Sequence, residues 1–249
     1  MVRLISPNIG AAPWHDLECG SYEADLPLWR ELADAAGGPL LELGCGTGRV
    51  ALDLAARGHR VTGLDADAEL VRVLAARARR RALPATAVAI DVRSFELGRR
   101  FALAIAPMQV VQLLGGPEGR ARMLACARAH LEPGAMLAAA LADPFEGFDP
   151  EAARPPLPDV RDVNEWILSS TPVAVRAGEA TVEIDTHRQA VSPSGELSEE
   201  LVTIRLDAVD ADTLAGEGEA SGFRPLPHRR VPETRYHVGS TVVMLEARP

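Results

Sequence analysis

The sequence predicts an α/β fold: a doubly wound, mostly parallel seven-stranded sheet with an inserted antiparallel β segment. Two observations lead to this expectation. From about residue 39 to residue 143, short apolar runs alternate with segments of helical periodicity. Such alternation is typical of a parallel sheet that helices cover on both faces. Between residues 166 and 207, strand-like runs are separated by short turns, which is typical of antiparallel strands.

The elements of the parallel part follow from apolar periodicity and from capping residues. In chain order they are a strand at 39–43, a helix at 47–57, a strand at 59–64, a helix capped by Asp67, strands at 87–90 and 101–106, a helix that begins at Pro117 and ends at Pro133 and Gly134, and a strand at 136–141.

The character of the chain changes after residue 143. Residues 143–162 are rich in proline and acidic residues and predict a loop. The elements expected beyond it are three antiparallel strands at 173–176, 181–191 and 201–206, a helix at 211–220, and closing strands at 223–231 and 239–246.

Composition and charge narrow the class of protein. The chain has 249 residues, a hydrophobic fraction of 47% and a net charge of -9. These values are ordinary for a soluble globular protein, and the acidic charge disfavours a nucleic-acid partner. No apolar run is long enough to span a membrane. Three cysteines without ligand spacing, no signal pattern, and abundant arginine with no lysine predict a cytoplasmic, bacterial protein with no metal site.

A glycine-rich turn lies where the first strand passes into a helix. Its residues are Glu42, Gly44, Gly46 and Gly48, each separated from the next by one residue. Ligands of doubly wound folds bind at this end of the strands. The dinucleotide fingerprint would need a third glycine where Arg49 stands, and the phosphate-loop lysine is absent.

This Glu-x-Gly-x-Gly-x-Gly pattern resembles the first motif of the class I methyltransferases that use S-adenosylmethionine (SAM). The resemblance runs from about residue 39 to residue 143 and implies a Rossmann-like methyltransferase sheet with SAM as the cofactor. It places Glu42 near the methionine amino end, and Gly44, Cys45 and Gly46 in the turn that faces the cofactor. The chemistry is consistent, because SAM carries two cationic groups and no phosphate.

Two further acids follow the second and third strands. Asp65 lies 21 residues beyond Gly44 and, with Ala66, ends the second strand, where a carboxylate can accept both ribose hydroxyls. Nicotinamide enzymes use the same arrangement, so Asp65 indicates an adenosyl cofactor without choosing which. The resemblance implies that Asp91 and Val92 bind the adenine.

The resemblance also assigns residues around the reacting methyl group. Ala106 and Pro107 follow the fourth strand and would lie beside it, and Tyr22 resembles a tyrosine that caps the cofactor. The motif of the DNA amino-methyltransferases is missing from this loop, which argues against nucleobase acceptors.

The catalytic residue stays open. Methyl transfer depends mainly on bringing donor and acceptor together, and a general base helps only some acceptors. The candidates are His15, His187 and His237, with Glu165 and Tyr236 as weaker ones.

By the same resemblance the chain divides into a helical cap (1–36), a SAM-binding core (37–143), an antiparallel lid (144–209) and a closing segment (210–249). A lid predicts a small-molecule acceptor, methylated on oxygen, nitrogen or carbon, in a monomer or homodimer. A nicotinamide-dependent oxidoreductase and a non-catalytic SAM-binding protein are the alternatives.

Overall fold

A computed structural model describes residues 9–142, 157–234 and 237–249. It divides into two compact units. The antiparallel unit comprises Met1–Tyr22 and Pro144–Ala208, and the core unit comprises Glu23–Asp143 and Val209–Pro249. The segment 1–36 is therefore shared between the two units. Among the described residues no helix is long and apolar enough to cross a membrane.

The described elements alternate between helices and strands in the first half of the chain. In order they are α1 (Ala11–Cys19), α2 (Leu26–Ala36), β1 (Leu40–Leu43), α3 (Arg49–Ala56), β2 (Val61–Asp65), α4 (Ala68–Arg80), β3 (Ala85–Ala89), β4 (Phe101–Ala106), a 3₁₀ turn (Val110–Leu113), α5 (Pro117–Ala129), β5 (Leu131–Leu141), β6 (Asp159–Val163), β7 (Trp166–Ala177), β8 (Thr181–Val191), β9 (Leu197–Asp207), α6 (Ala211–Ala220), β10 (Phe223–Val231) and β11 (Ser240–Ala247).

The core unit contains a seven-stranded sheet in the order β10-β11-β5-β4-β1-β2-β3. Strands β1 to β5 are parallel, whereas β11 pairs antiparallel with β5 and β10. The fold class predicted from the sequence is confirmed. Because the strand order reverses between β1 and β4, the carboxyl ends of these two strands form the topological switch point at which such sheets bind ligands.

Local sequence explains the helix ends in this unit. The Asp67 side chain accepts from the backbone N–H of Glu69 at 2.8 Å and caps α4, as predicted. Asp210 caps α6 in the same way through the N–H of Thr213 at 2.7 Å. Each cap satisfies an N–H group that the first helical turn leaves without a partner.

The predicted end of the helix that begins at Pro117 was wrong. The helix ends at Ala129, and Pro133 and Gly134 lie inside β5 instead. The pairing of β5 with β4 shifts register beside these residues, between Phe101 and Leu103. A proline has no N–H for the ladder, so a strand tolerates it at such an irregularity.

The antiparallel unit contains a four-stranded sheet in the order β6-β7-β8-β9, where three strands had been predicted. Strand β6 begins within the predicted loop 143–162 and ends one residue beyond it; residues 143–156 of that loop lie outside the described part of the chain. Its side chains are mostly exposed, so it has no apolar face for the sequence to show. Strand β7 extends through Pro172, where the register with β8 shifts.

Helix α1 packs on this antiparallel sheet. Trp14 and Leu17 of α1 form an apolar cluster with Leu168 and Ala190. An ion pair reinforces the contact, because the Arg188 guanidinium donates to both oxygens of Glu18 at 2.7 Å. The antiparallel unit therefore has a small core of its own.

Candidate functional site

The glycine-rich turn has a backbone that only glycine adopts comfortably. Gly44 has a φ of 68° and Gly48 a φ of 97°, both in the left-handed region. A Cβ on Gly44 would overlap Val110 Cγ2, and a Cβ on Gly48 would lie 2.7 Å from Leu74 Cγ. The turn is therefore closed by side chains on one side, and its glycines are structurally required.

Cys45 fixes the turn to the neighbouring strand. Its backbone N–H donates to the Leu64 carbonyl at 2.9 Å, and its side chain fills the space that a Cβ on Gly63 would need. Burial raises the pKa of the Cys45 thiol far above its usual range. The side chain is thus a packing group and stays protonated, so only the backbone of Cys45 is available to a ligand.

Asp65 joins the glycine turn to the end of β2. Its Oδ2 accepts from the N–H of Gly46 at 2.8 Å, and its Oδ1 accepts from the N–H of Asp67 at 2.9 Å. Each carboxylate oxygen has a second lone pair for a further donor. The structure therefore brings together two of the predicted site residues, Gly46 and Asp65, with exposed Ala66 directly after them.

Glu42 is a buried acid beside this turn. It is 2% exposed, and among the described residues its Oε2 has no hydrogen-bond partner. Burial raises the pKa of the Glu42 carboxyl from an ordinary 4.5 to about 8; Arg49 opposes the rise, and the nearby Asp25 and Asp65 add to it. Since a buried polar atom without a partner is costly, Glu42 is suited to receive a donor or a cation from a ligand.

An ion pair that the sequence did not reveal lies next to Glu42. Arg49 donates to both oxygens of Asp25, at 2.5 and 2.7 Å, and Asp25 also accepts from the Trp29 indole at 2.8 Å. The Arg49 side chain is 9% exposed. The only sequence signal was an arginine where a dinucleotide site would have glycine, and it gave no indication of Asp25 as its partner.

The loop after β3 reaches the same edge of the sheet. The Ile90 N–H donates to the Asp65 carbonyl at 2.8 Å. The Asp91 carboxylate accepts from the Arg93 guanidinium at 2.7 Å, and this hydrogen bond lowers the pKa of Asp91. Val92 is buried in the main core. The backbone of Val92 and the charged pair at Asp91 are thus positioned by contacts within the loop.

The loop after β4 is anchored by a glutamine that the sequence did not single out. Ala106 and Pro107 are buried, and Met108 has a left-handed φ of 57°. The buried Gln112 side chain then forms two hydrogen bonds with the backbone of Ala142 at the end of β5, at 3.0 and 2.9 Å. This pair of bonds connects the loops that follow β4 and β5.

The remaining predicted residues are distributed over both units. Buried Tyr22, together with His15 and His187, belongs to the antiparallel unit, where His187 lies 3.3 Å from Glu199. His237 belongs to the core unit, and its carbonyl accepts from the Thr234 N–H at 2.9 Å.

Of the two weaker candidates, Glu165 is exposed in the turn between β6 and β7, and Tyr236 lies outside the described residues. No group of three metal-ligating side chains is found in the ranges 9–142, 157–234 and 237–249.

A cavity of about 470 Å³ lies at the opposite edge of the core sheet. Its lining residues include Pro39, Arg60 and Arg99. Each of them lies one or two residues before the start of a strand, at the amino ends of the parallel strands. Parallel sheets bind their ligands at the carboxyl ends of the strands, so this amino-end cavity is separate from the glycine turn.

Comparison with protein families agrees with the geometry. Residues 40–134 match the family model of a methyltransferase domain, a range that contains the glycine turn, Asp65 and Asp91. The resemblance inferred from the sequence is confirmed, and SAM is the cofactor that such a domain implies. No curated protein matches the chain.

Solved structures share the fold over nearly the whole chain. A SAM-dependent methyltransferase from Clostridium acetobutylicum has a TM-score of 0.71 at 10% identity, and the match covers 95% of this chain and 97% of that protein. A sugar N-methyltransferase from a Streptoalloteichus species has a TM-score of 0.74 at 17% identity, with coverages of 100% and 97%. A SAM-bound amino pentose methyltransferase from Micromonospora echinaspora has a TM-score of 0.67 at 19% identity, with coverages of 96% and 99%.

Proposed function

We propose that this chain is a SAM-dependent methyltransferase that acts on a small-molecule acceptor. The observation that carries the proposal is the buried Oε2 of Glu42, which has no hydrogen-bond partner among the described residues and lies next to a glycine turn that side chains close on one side. A carboxylate in this position complements a cationic ligand. The matched methyltransferase domain contains both features.

All but one of the cofactor contacts are assigned to residues at the carboxyl edge of the core sheet. Glu42 faces the methionine amino end, and Asp65 receives the ribose hydroxyls. Asp91 and the Val92 backbone bind the adenine. The backbones of Gly44, Cys45 and Gly46 form the floor of the site, Ala106 and Pro107 border the methyl group, and Tyr22 caps the cofactor.

Positioning accounts for most of the proposed mechanism. Bound SAM supplies a methyl group on a sulfonium, and the neutral thioether that the transfer releases is a good leaving group. The chain then has to hold the acceptor in line and exclude water, which the rigid loop at Pro107 and Gln112 is suited to do. His15, His187 and His237 remain the candidates for a base where the acceptor carries a proton.

An amine on a sugar is the first acceptor to test. Two of the fold neighbours are a sugar N-methyltransferase and an amino pentose methyltransferase, which supports a small sugar-like acceptor, and the first of them supports nitrogen as the methylated atom. Oxygen and carbon acceptors stay within the proposal. The function of residues 144–209 as a lid over the acceptor is likewise a prediction from the resemblance.

Calorimetric titration with SAM, with its demethylated product and with NAD tests the cofactor. We expect micromolar binding of SAM and its product, no binding of NAD, and weaker binding of SAM by Asp65→Asn. The matched control is Asp210→Asn, which makes the same chemical change at a helix cap outside the site. Binding of NAD in preference to SAM would favour the oxidoreductase alternative.

Methyl transfer to a panel of amino sugars, followed by mass spectrometry, tests the activity. An increase of one methyl group in an acceptor supports the proposal. Tight SAM binding without transfer to any nitrogen, oxygen or carbon acceptor in a broader panel would favour the non-catalytic SAM-binding alternative.

A further inference from the structure

The ion pair between Arg49 and Asp25 lies beside Glu42, and both of its charges act on the Glu42 carboxyl. Arg49 is the first residue of α3, directly after Gly48, and Asp25 directly precedes α2. Asp25 is 2% exposed and uses both oxygens for Arg49, one of which also accepts from Trp29. A two-point ion pair fixes the direction of the guanidinium plane.

Two buried acids, Asp25 and Glu42, interact with the same buried arginine, Arg49. Glu42 interacts electrostatically with Arg49, yet its Oε2 has no hydrogen-bond partner among the described residues. Asp65 adds a further negative charge. Among the described charged groups that shift the pKa of Glu42, the acids, when all are ionised, exceed Arg49 by two charges, which favours a cationic ligand there. A second arginine, Arg77, also reaches the turn and donates to the Thr47 carbonyl at 3.2 Å.

We propose that Asp25 is a positioning residue that holds Arg49 away from Glu42 and so keeps Glu42 available to the cationic end of the cofactor. The inference rests on the proposed function and adds a residue outside the glycine motif to it. If Asp25 loses its charge, Arg49 turns toward Glu42, pairs with it and neutralises the acid that the cofactor needs.

A double-mutant cycle separates this role from a structural one. We expect Asp25→Asn to bind SAM about tenfold more weakly than the wild type, within the range measured for coupled neighbouring charges. The double variant Asp25→Asn with Arg49→Met restores the summed charge of the cluster and is expected to recover most of the lost affinity. A structural role predicts the opposite, because removing both partners would then be at least as harmful as removing one.

The chain offers a matched control in a second two-point ion pair. Arg30 donates to both oxygens of Asp53, at 2.9 and 2.6 Å, and this pair also joins α2 to α3. Asp53→Asn therefore breaks a more exposed ion pair between the same two helices without altering the charge next to Glu42, and we expect its SAM affinity to match the wild type.

A measurement without cofactor keeps the inference separate from the proposed function. Carbon NMR of the glutamate carboxyls should show that Asp25→Asn lowers the pKa of Glu42 much more in the presence of Arg49 than in an Arg49→Met background. Loss of the Asp25 charge lowers this pKa in both backgrounds, and only a turn of Arg49 toward Glu42 adds to the drop in the first. Asp53→Asn should leave the pKa of Glu42 unchanged. If Asp25→Asn does not fold, Asp25→Ser takes its place in the same comparison, because it removes the charge but keeps an oxygen that can accept from the Trp29 indole.

The inference is overturned if Asp25→Asn lowers the pKa of Glu42 by the same amount with and without Arg49, or if the double variant binds SAM no better than Asp25→Asn. Absence of SAM binding by the wild type would refute the proposed function, while the NMR titration would still decide the competition for Arg49.

Discussion

Cofactor binding should release a proton from Glu42. Its carboxyl has a pKa of about 8 without ligand, so at pH 7 about nine molecules in ten carry the proton. The proposed cationic ligand favours the ionised carboxylate and lowers its pKa. Binding at pH 7 should therefore release close to one proton, and the affinity for SAM should rise about tenfold per pH unit between about pH 5.5 and 7.

Titration calorimetry in buffers with different heats of ionisation measures the released proton directly. Glu42→Gln provides the control, because an amide cannot release a proton; its SAM affinity should be lower and independent of pH in this range. If the wild-type affinity for SAM stays constant from about pH 5.5 to 7 and no proton is exchanged, Glu42 keeps one protonation state on binding, and the expected proton release is refuted.

Three further predictions concern stability. Because the pKa of Glu42 is raised in the folded state, the folded protein holds this proton more tightly than the unfolded chain does. The free energy of unfolding should therefore fall by up to about 5 kcal/mol as the pH rises from 4.5 to about 8. Glu42→Gln should melt at a higher temperature than the wild type at pH 8 but not at pH 4.5. Gly44→Ala should lower the free energy of unfolding by about 1 to 3 kcal/mol in denaturant titration, because its φ is 68° and its Cβ would meet Val110. Gln112→Leu leaves the buried N–H and carbonyl of Ala142 without that side chain, and should cost about 1 to 3 kcal/mol in the same assay, whereas equal stability would exclude an anchoring role.

Features defined by neighbouring residues could be predicted from the sequence. The turn at Gly44, Gly46 and Gly48, the helix cap at Asp67 and the seven-stranded sheet all follow from local spacing and apolar periodicity. Asp65 was predicted because it ends the strand next to the glycine turn, and the structure places it in contact with Gly46. Parallel topology brings strand ends to one edge without any need to know individual side-chain contacts.

Other features depend on partners far along the chain. Asp25 and Arg49 are 24 residues apart, and nothing in the pattern around Asp25 marks it as the acceptor of a buried guanidinium. Gln112 meets Ala142 across 30 residues. Strand β6 was missed for a different reason: its side chains are mostly exposed, so it has no alternation of apolar and polar residues to be recognised.

The contact between Gly46 and Asp65 also bears on the class of cofactor. A dinucleotide site leaves the N–H groups of its glycine turn free for a pyrophosphate. Here the Gly46 N–H already donates to the Asp65 carboxylate at 2.8 Å. An anion brought to within about 4 Å of that carboxylate would be repelled by about 4 kcal/mol per pair of unit charges at an effective dielectric constant of about 20. Nicotinamide enzymes combine a ribose-binding acid with a pyrophosphate at the glycine turn, so the presence of Asp65 alone does not decide between the cofactors. Two features of this turn do favour a cationic ligand over a phosphate: the Gly46 N–H is already used by Asp65, and the buried acid Glu42 lies beside it.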